Sequence, residues 1–483
     1  MSTIRNLGLL VLAGVLSGCS SAKDESNEEA VIEPEVTTDE AATIEMKPAE
    51  IPAEPQIEEI AVEIATVIVP ENPNSTQVHW GEFRGPNGNG VAPDGYDAPI
   101  TWSETENVAW KTEIPNLGWS SPMILGDRIW MTSATEDGKD YFVIQVDANT
   151  GEIVQHERIF HTDTPDPLGN DVNCYSSPSP VLEAGRVYVH WGIYGTACLD
   201  GKTGEVLWKR DDFECNHHRG PASSVILWEN LLYLTFDGID VQYVVALDKD
   251  TGETVWTTFR SAVWNDFGED GMVIRNGDNR KSYSTPLIVQ VGDTPLLISS
   301  ASYACYAYDA RSGREVWKAR NNSFTAQIRP VYGDGVVYTT TGYAPTELQA
   351  IRVDGTGDVT DTHILWSRQG NSIPSTPSSI IKDGLIYLCS NKAFASCLDA
   401  ETGEEIWSER IGGNYTASPI LVNDRLYFFS AQGKTVVMKA GREPETLAEN
   451  RLDGSFMACP AVVGNALILR TKTHLYRIEQ TKS

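Results

Sequence analysis

The densest group of chemically capable side chains in this chain is Cys215-Asn216-His217-His218-Arg219. Thiolate and imidazole are the ligands that transition metals such as zinc take, and Cys174, in the corresponding loop one repeat unit earlier, offers a second sulfur. Three readings stand for Cys174, Cys215, His217 and His218: a metal site, a disulfide between the two cysteines, or polar loop residues around an opening. Seven cysteines follow Cys19, at positions 174, 198, 215, 305, 389, 397 and 459, so at least one thiol stays free whatever pairs form. A second group, Trp119, Tyr175, His217, Arg219, Tyr283, Arg329, Tyr415 and Phe456, is aromatic or basic. Each member falls shortly before a predicted strand, and converging residues of these types make a ligand or partner site. The sequence holds no nucleophile triad, phosphate-cradling glycine loop or His-Glu-x-x-His, so no catalytic residue is assigned.

The elements that must position these residues are announced by a repeat with the core Leu-Asp-x-x-Thr-Gly-x-x-x-Trp. It runs from Leu199-Asp200 through Thr203-Gly204 to Trp208, and from Leu247-Asp248 through Thr251-Gly252 to Trp256. It recurs from Asp309 to Trp317 and from Leu398-Asp399 to Trp407; Asp147 keeps the turn but has Gln155 at the Trp position, and a stretched copy runs from Gly357 to Trp366. A fixed turn at irregular spacing means a fixed strand core with variable loops. Asp and Thr-Gly make a tight hairpin, and the strand behind it carries the Trp. Cys198 and Cys397 stand two residues before the Asp, where other units have Ala246 and Ala307, and read as small buried fillers. Cys389 is expected one residue out of register with Cys397, on the opposite face of its hairpin.

Upstream of each hairpin, eight openings rich in Ser, Thr and Pro each start a strand, among them Ser120-Ser121-Pro122, Ser284-Thr285-Pro286, Arg329-Pro330 and Cys459-Pro460. Four short antiparallel strands per unit predict an all-β propeller. The last unit lacks its outer strand, and Val108-Ala109-Trp110-Lys111 supplies one, so the N-terminal strand completes the last blade. Residues 108–483 divide into eight blades of 47 residues. The fold expected is an eight-bladed, monomeric β-propeller, with Trp110, Trp208, Trp256, Trp317, Trp366 and Trp407 docking between blades.

These repeats resemble those of the PQQ-like (quinoprotein) propellers, and the resemblance covers essentially all of 80–483. The stretch Trp80-Gly81-Glu82-Phe83-Arg84-Gly85-Pro86-Asn87-Gly88-Asn89-Gly90 looks like the opening of a bacterial subfamily of them. Two kinds of relative bracket the function. One is the quinone-dependent alcohol dehydrogenases, in which a vicinal Cys-Cys pair lies beside the quinone, Glu and Asn hold calcium and an Asp acts as base. The other is the non-catalytic propeller lipoprotein of the outer-membrane barrel-assembly machinery. This sequence has neither an adjacent Cys-Cys nor a Cys-x-x-Cys-His for a c-type haem. The expectation is therefore a binding or scaffolding module without a cofactor. The alternatives are a dehydrogenase using PQQ with calcium, and a propeller that captures a ligand or glycan without turnover.

Residues 1–19 read as a lipoprotein signal peptide: Arg5, an apolar stretch from Leu7 to Leu16, and Leu16-Ser17-Gly18-Cys19, which resembles the lipobox. Acylation at Cys19 would anchor the chain to a membrane without a spanning helix. Ser20 after the lipid cysteine favours the outer membrane, by resemblance to outer-membrane lipoproteins. Residues 20–79 hold 15 Asp or Glu against 2 Lys and read as a disordered tether, with 62–69 as a possible β-prone strip; 80–107 lead into the propeller. The chain carries 37 Lys plus Arg against 67 Asp plus Glu, a net −30, which argues against a nucleic-acid partner. The expected partner is a protein of the cell envelope.

Overall fold

In the computed structural model, residues 78–480 are described, apart from 170, 171, 265 and 344. The stretch read as a signal peptide, Cys19, the 62–69 strip and the expected tether up to residue 77 lie outside the described residues, whereas its last two residues, Val78 and His79, are not tether but part of the strand Val78–Trp80. Eight antiparallel sheets follow one another along the chain, one per predicted blade. The first strands of the eight repeats, Met123–Leu125, Val181–Glu183, Ile226–Trp228, Leu287–Val291, Val331–Gly333, Ile380–Lys382, Ile420–Val422 and Ala461–Val463, are their inner strands and define blades 1 to 8. Blade 8 is closed by Val108–Glu113 pairing antiparallel with His474–Glu479, so residues from both ends of the propeller share one sheet.

The repeated hairpin forms for a local reason. In blade 3, Asp248 Oδ1 accepts the backbone N–H groups of Asp250 and Thr251 at 3.0 and 2.9 Å, while the Gly252 N–H bonds the Asp248 carbonyl at 2.8 Å. Gly252 sits at φ +75°, and a Cβ there would lie 2.7 Å from the Trp208 ring of the preceding blade. Glycine therefore serves both the left-handed turn and the close approach of the indole. Each Trp is stitched across a blade boundary by its indole N–H. Trp110 donates to Ala148 O, Trp208 to Lys249 O, Trp256 to Ala310 O, Trp317 to Val353 O, Trp366 to Ala400 O and Trp407 to Gly441 O, all within 2.9–3.1 Å. Opposite the Trp on the neighbouring strand stands a small residue: Cys198 faces Trp208 and Cys397 faces Trp407, as Ala246 faces Trp256.

Two boundaries lack a Trp. Between blades 1 and 2, Gln155 takes its position against Gly204. Between blades 7 and 8 the outer strand carries Ala448, and residues 97–102 cover the boundary instead. Trp102 stacks on Tyr427 and its backbone N–H donates to Asn450 Oδ1 of blade 7 at 2.8 Å, while the Asp97 backbone N–H donates to the Gly464 carbonyl of blade 8 at 2.9 Å.

Two local expectations are corrected. Gly357 does not make the hairpin of blade 5. Gly357–Asp358 forms a fifth strand, parallel to the outer strand of blade 4, because the extra residues between the third and fourth strands of blade 5 are long enough to reach back. Cys389 pairs with Ala395 and Tyr387 with Cys397, so Cys389 and Cys397 are diagonal neighbours on one face, not on opposite faces. The turn between them carries Ala393 at φ +67° and holds an odd number of residues, which keeps the two cysteines in phase. All seven described cysteines are free.

The lead-in segment fills the centre. Val78–Trp80 adds a strand inside blade 1, the Leu182 N–H of blade 2 bonds the Gly81 carbonyl, and Gly90 and Ala92 bond Leu421 of blade 7. Trp80 is fully buried by this arrangement. No helix among the described residues is long and apolar enough to cross a membrane.

Candidate functional site

At the face where the chain passes from blade to blade, the channel widens into a cavity of about 630 Å³. Its wall follows from the period-two geometry of extended chain. Counting back from the first residue of each inner strand, the fourth position gives Trp119, Ser177, Ala222, Tyr283, Gln327, Thr376, Thr416 and Met457, and all eight line the cavity. The second position gives Ser121, Ser179, Ser224, Thr285, Arg329, Ser378, Ser418 and Cys459, and every one but Arg329 lines it too.

The lower ring is tied together by hydrogen bonds. Ser121 N–H donates to Ser179 Oγ, Ser179 N–H to Ser224 Oγ, and Ser224 N–H to Thr285 Oγ1, each at 2.9 Å. After a break, Arg329 N–H donates to Ser378 Oγ at 3.0 Å, and Ser378 N–H to Ser418 Oγ at 2.9 Å. Ser418 N–H meets Cys459 Sγ at 3.2 Å, and Cys459 N–H returns to Ser121 Oγ at 3.1 Å. The break falls between blades 4 and 5, where Arg329 replaces the hydroxyl. Its side chain turns into the channel, pairing with Glu82 at 2.7 Å and donating to the Phe83 carbonyl. Phe83 in turn lies in the cavity floor.

One bank of the mouth is cationic. Arg219 and Lys281 pair with the one lining carboxylate, Asp278, and Arg275 lines the cavity beside them. The buried Lys281 ammonium donates to Asp278, and Arg219 approaches its other oxygen at 3.3 Å. Burial would push the Asp278 carboxyl up, but Lys281 and Arg219 outweigh it and hold the carboxyl below its ordinary value. Three polar atoms of the lining, Trp119 Nε1, Arg219 Nε and Thr325 Oγ1, are buried with no hydrogen-bond partner.

Of the residues that sequence reasoning assembled into a funnel, the structure brings Trp119, Arg219 and Tyr283 to the cavity. The others serve elsewhere. Tyr175 is buried against Tyr194 and donates to the Asp166 carbonyl; Tyr415 and Phe456 are buried, Phe456 edge-on to Phe429; Arg329 points down the channel. Tyr415 and Phe456 stand five residues before their strands, one step out of phase with the wall. His217 is buried, stacked on Phe236, and burial lowers its pKa to about 4.

The metal candidates are likewise dispersed. Cys215 Sγ meets His217 Nδ1 at 3.8 Å, and burial pushes the Cys215 thiol well up. His218, in the left-handed region at φ +61°, turns away to approach Asp278 at 3.5 Å, and Cys174 meets Ser177 at 3.4 Å. Among the described residues, no group of three or more His, Cys, Asp and Glu is placed to hold a metal ion.

The calcium-bound quinone of the dehydrogenases can be tested against this wall. Calcium takes roughly six to eight oxygen ligands, usually including free carboxylates. The cavity presents hydroxyls and amides, and its one carboxylate is clamped by Lys281. The residues present do not fit a calcium–quinone pair.

A family model described as outer membrane protein assembly factor BamB matches residues 74–211 and 240–483. The chain belongs to that family. The part of this BamB-family propeller between the two matched stretches, 212–239, includes the Cys215–Arg219 cluster. Among curated proteins, the chain is 22% identical over 318 residues to outer membrane protein assembly factor BamB of Yersinia pestis, covering 57% of this chain and 77% of that one. It is 21% identical over 315 residues to quinohemoprotein alcohol dehydrogenase ADH-IIG of Pseudomonas putida, covering 59% of this chain but only 40% of the dehydrogenase. Among solved structures, BamB from Moraxella catarrhalis matches with a TM-score of 0.51 at 14% identity, covering 77% of this chain and 99% of that one. Quinohemoprotein alcohol dehydrogenase from Comamonas testosteroni matches with a TM-score of 0.60 at 12% identity, covering 84% and 81%. At these identities the structural matches speak for the shared fold.

Proposed function

We propose that this propeller is a non-catalytic binding or scaffolding module of the cell envelope, anchored through a lipid on Cys19 and similar in kind to BamB. The observation that carries the reading is the cavity wall. Fifteen positions from the eight blade openings present hydroxyls, amides, one thiol, and apolar or aromatic side chains, one bank adds Arg219, Arg275, Lys281 and the clamped Asp278, and the channel beneath is filled by the lead-in segment. A wall of that kind suits surface recognition; a general base or a metal-bound nucleophile would need an unclamped carboxylate or imidazole there. The lipobox-like leader and the BamB family membership support outer-membrane attachment and an envelope protein as partner in this reading.

The test is to purify the acylated full chain from its membrane after photo-crosslinking from Tyr343, an exposed cavity-lining residue, and to titrate the same protein with PQQ and calcium. The expected result is a discrete crosslinked envelope protein with no saturable quenching of Trp fluorescence by the quinone. Stoichiometric quinone binding with dye-linked alcohol oxidation would overturn the reading in favour of a dehydrogenase. Capture of a small ligand or glycan without turnover is a second reading, favoured by the unpartnered Trp119 Nε1, Arg219 Nε and Thr325 Oγ1 in the wall.

A further inference from the structure

Beneath the cavity floor lies a charge that the protein does not balance. Arg84 is 1% exposed, and its Nε, Nη1 and Nη2 all lack a hydrogen-bond partner. Burial lowers its pKa to about 9, which still leaves it cationic at neutral pH. A buried guanidinium without a counter-charge is strongly unfavourable. The carboxylate on the same segment, Glu82, is already paired with Arg329 at 2.7 Å, so two cations and one carboxylate leave a net charge of +1 on this part of the channel. The other titratable neighbour is Cys459, whose thiol is pushed up by burial and so stays neutral.

The Arg84 guanidinium lies over Gly90, near the Pro419 carbonyl of blade 7 and Cys459 of blade 8, without a hydrogen bond to either. Cys459 is flanked in the lower ring by Ser418 and Ser121. Ser121 Oγ accepts the Cys459 N–H and Ser418 Oγ accepts the Ser378 N–H, and both hydroxyls also reach the Cys459 thiol, so neither is free to serve Arg84. A buried cation whose three nitrogens all lack a partner matches an acceptor that carries negative charge. Water would meet the hydrogen-bonding need and leave the charge, whereas an anion meets both. We propose that Arg84 binds a small inorganic anion of the halide class between the lead-in segment and blades 7 and 8, beside Gly90, Pro419 and Cys459. Complete enclosure of the guanidinium selects a monatomic ion over a polycarboxylate. Ser121, Ser418 and Cys459 also line the cavity, which gives the ion its route in.

The full chain, held in methanesulfonate at constant ionic strength, is titrated with bromide while thermal unfolding is followed, and crystals grown in bromide are examined for anomalous scattering. The expected results are a saturable rise in Tm and an anomalous peak against Arg84. Loss of the bromide-dependent rise in Arg84→Met, and its retention in Arg158→Met, an exposed charge on the outer strand of blade 1, are also expected. If Arg84→Met fails to fold, the anomalous peak in the unaltered protein decides. Absence of both the bromide response and the peak would overturn the proposal. So would thiolate absorbance at neutral pH that disappears in Cys459→Ser, because the counter-charge would then belong to the protein.

Discussion

The outer belt and the inner ring solve the same problem, joining one blade to the next, by different chemistry. In the belt, a large apolar indole covers the neighbouring turn and its one N–H finds a carbonyl, so the joint combines apolar burial with a hydrogen bond. In the ring, a backbone N–H meets a neighbouring hydroxyl or thiol, with little apolar area to bury. A belt joint is therefore strong and tolerant of its neighbours, whereas a ring joint is weak, directional and easy to replace. Both repeats are interrupted, and the interruptions differ. The belt's gaps are patched by Gln155 and by residues 97–102, which keeps the joint. The gap in the ring at Arg329 turns the same position to a new task, holding the segment that fills the channel.

That contrast can be pressed by mutation. Trp317→Ala, at a fully buried belt position, is expected to destabilise the protein by about 3–5 kcal/mol in denaturant unfolding. Arg329→Met leaves the Glu82 carboxylate partly buried without its partner and is expected to cost about 3 kcal/mol. Arg329→Ser sharpens the point: it returns a hydroxyl to the ring while releasing the segment, so a loss as large as that of Arg329→Met assigns the effect to the segment and not to the ring.

A third prediction concerns acid. His190 and His217 pack on Phe236 from two sides, and burial lowers their pKa values to about 3 and about 4. The unfolded chain binds these protons near pH 6.5, so the stabilisation is complete above that value and is lost as pH falls toward 4. Each histidine should steepen the loss by about 1.4 kcal/mol per pH unit in that window, and His217→Gln should remove its share of the slope in unfolding curves taken from pH 7 to 4.5. Gly252→Ala, which sets a Cβ against Trp208 in a left-handed turn, is expected to cost about 1–2 kcal/mol. Ser224→Ala, which removes one acceptor from the ring, should cost about 1 kcal/mol.

The blades and the closing strand were legible because their signals are local: an Asp that caps its own turn, a Gly at positive φ and a Trp four residues on. The cavity wall was half legible. Its Ser, Thr and Pro landmarks stand out in the sequence, yet choosing Tyr415 and Phe456 over Thr416 and Met457 followed residue type where strand phase decides. The task of the lead-in segment was not legible at all. Glu82 and Arg329 are separated by 247 positions, and nothing near either announces the other. Gly357 misled because a turn glycine looks the same whether it closes a hairpin or begins an extra edge strand.

Blade 8 carries a consequence for the order of events at birth. Its outer strand, Val108–Glu113, emerges from the ribosome, or from an export channel, some 360 residues before its partner His474–Glu479. For that interval the strand has an open edge, and blade 1 has no neighbour on one side. The circle is therefore sealed by the last strand to arrive. A chain stalled or clipped before residue 474 would keep all the other blades and still be an open arc, its first strand free to pair with whatever edge it meets.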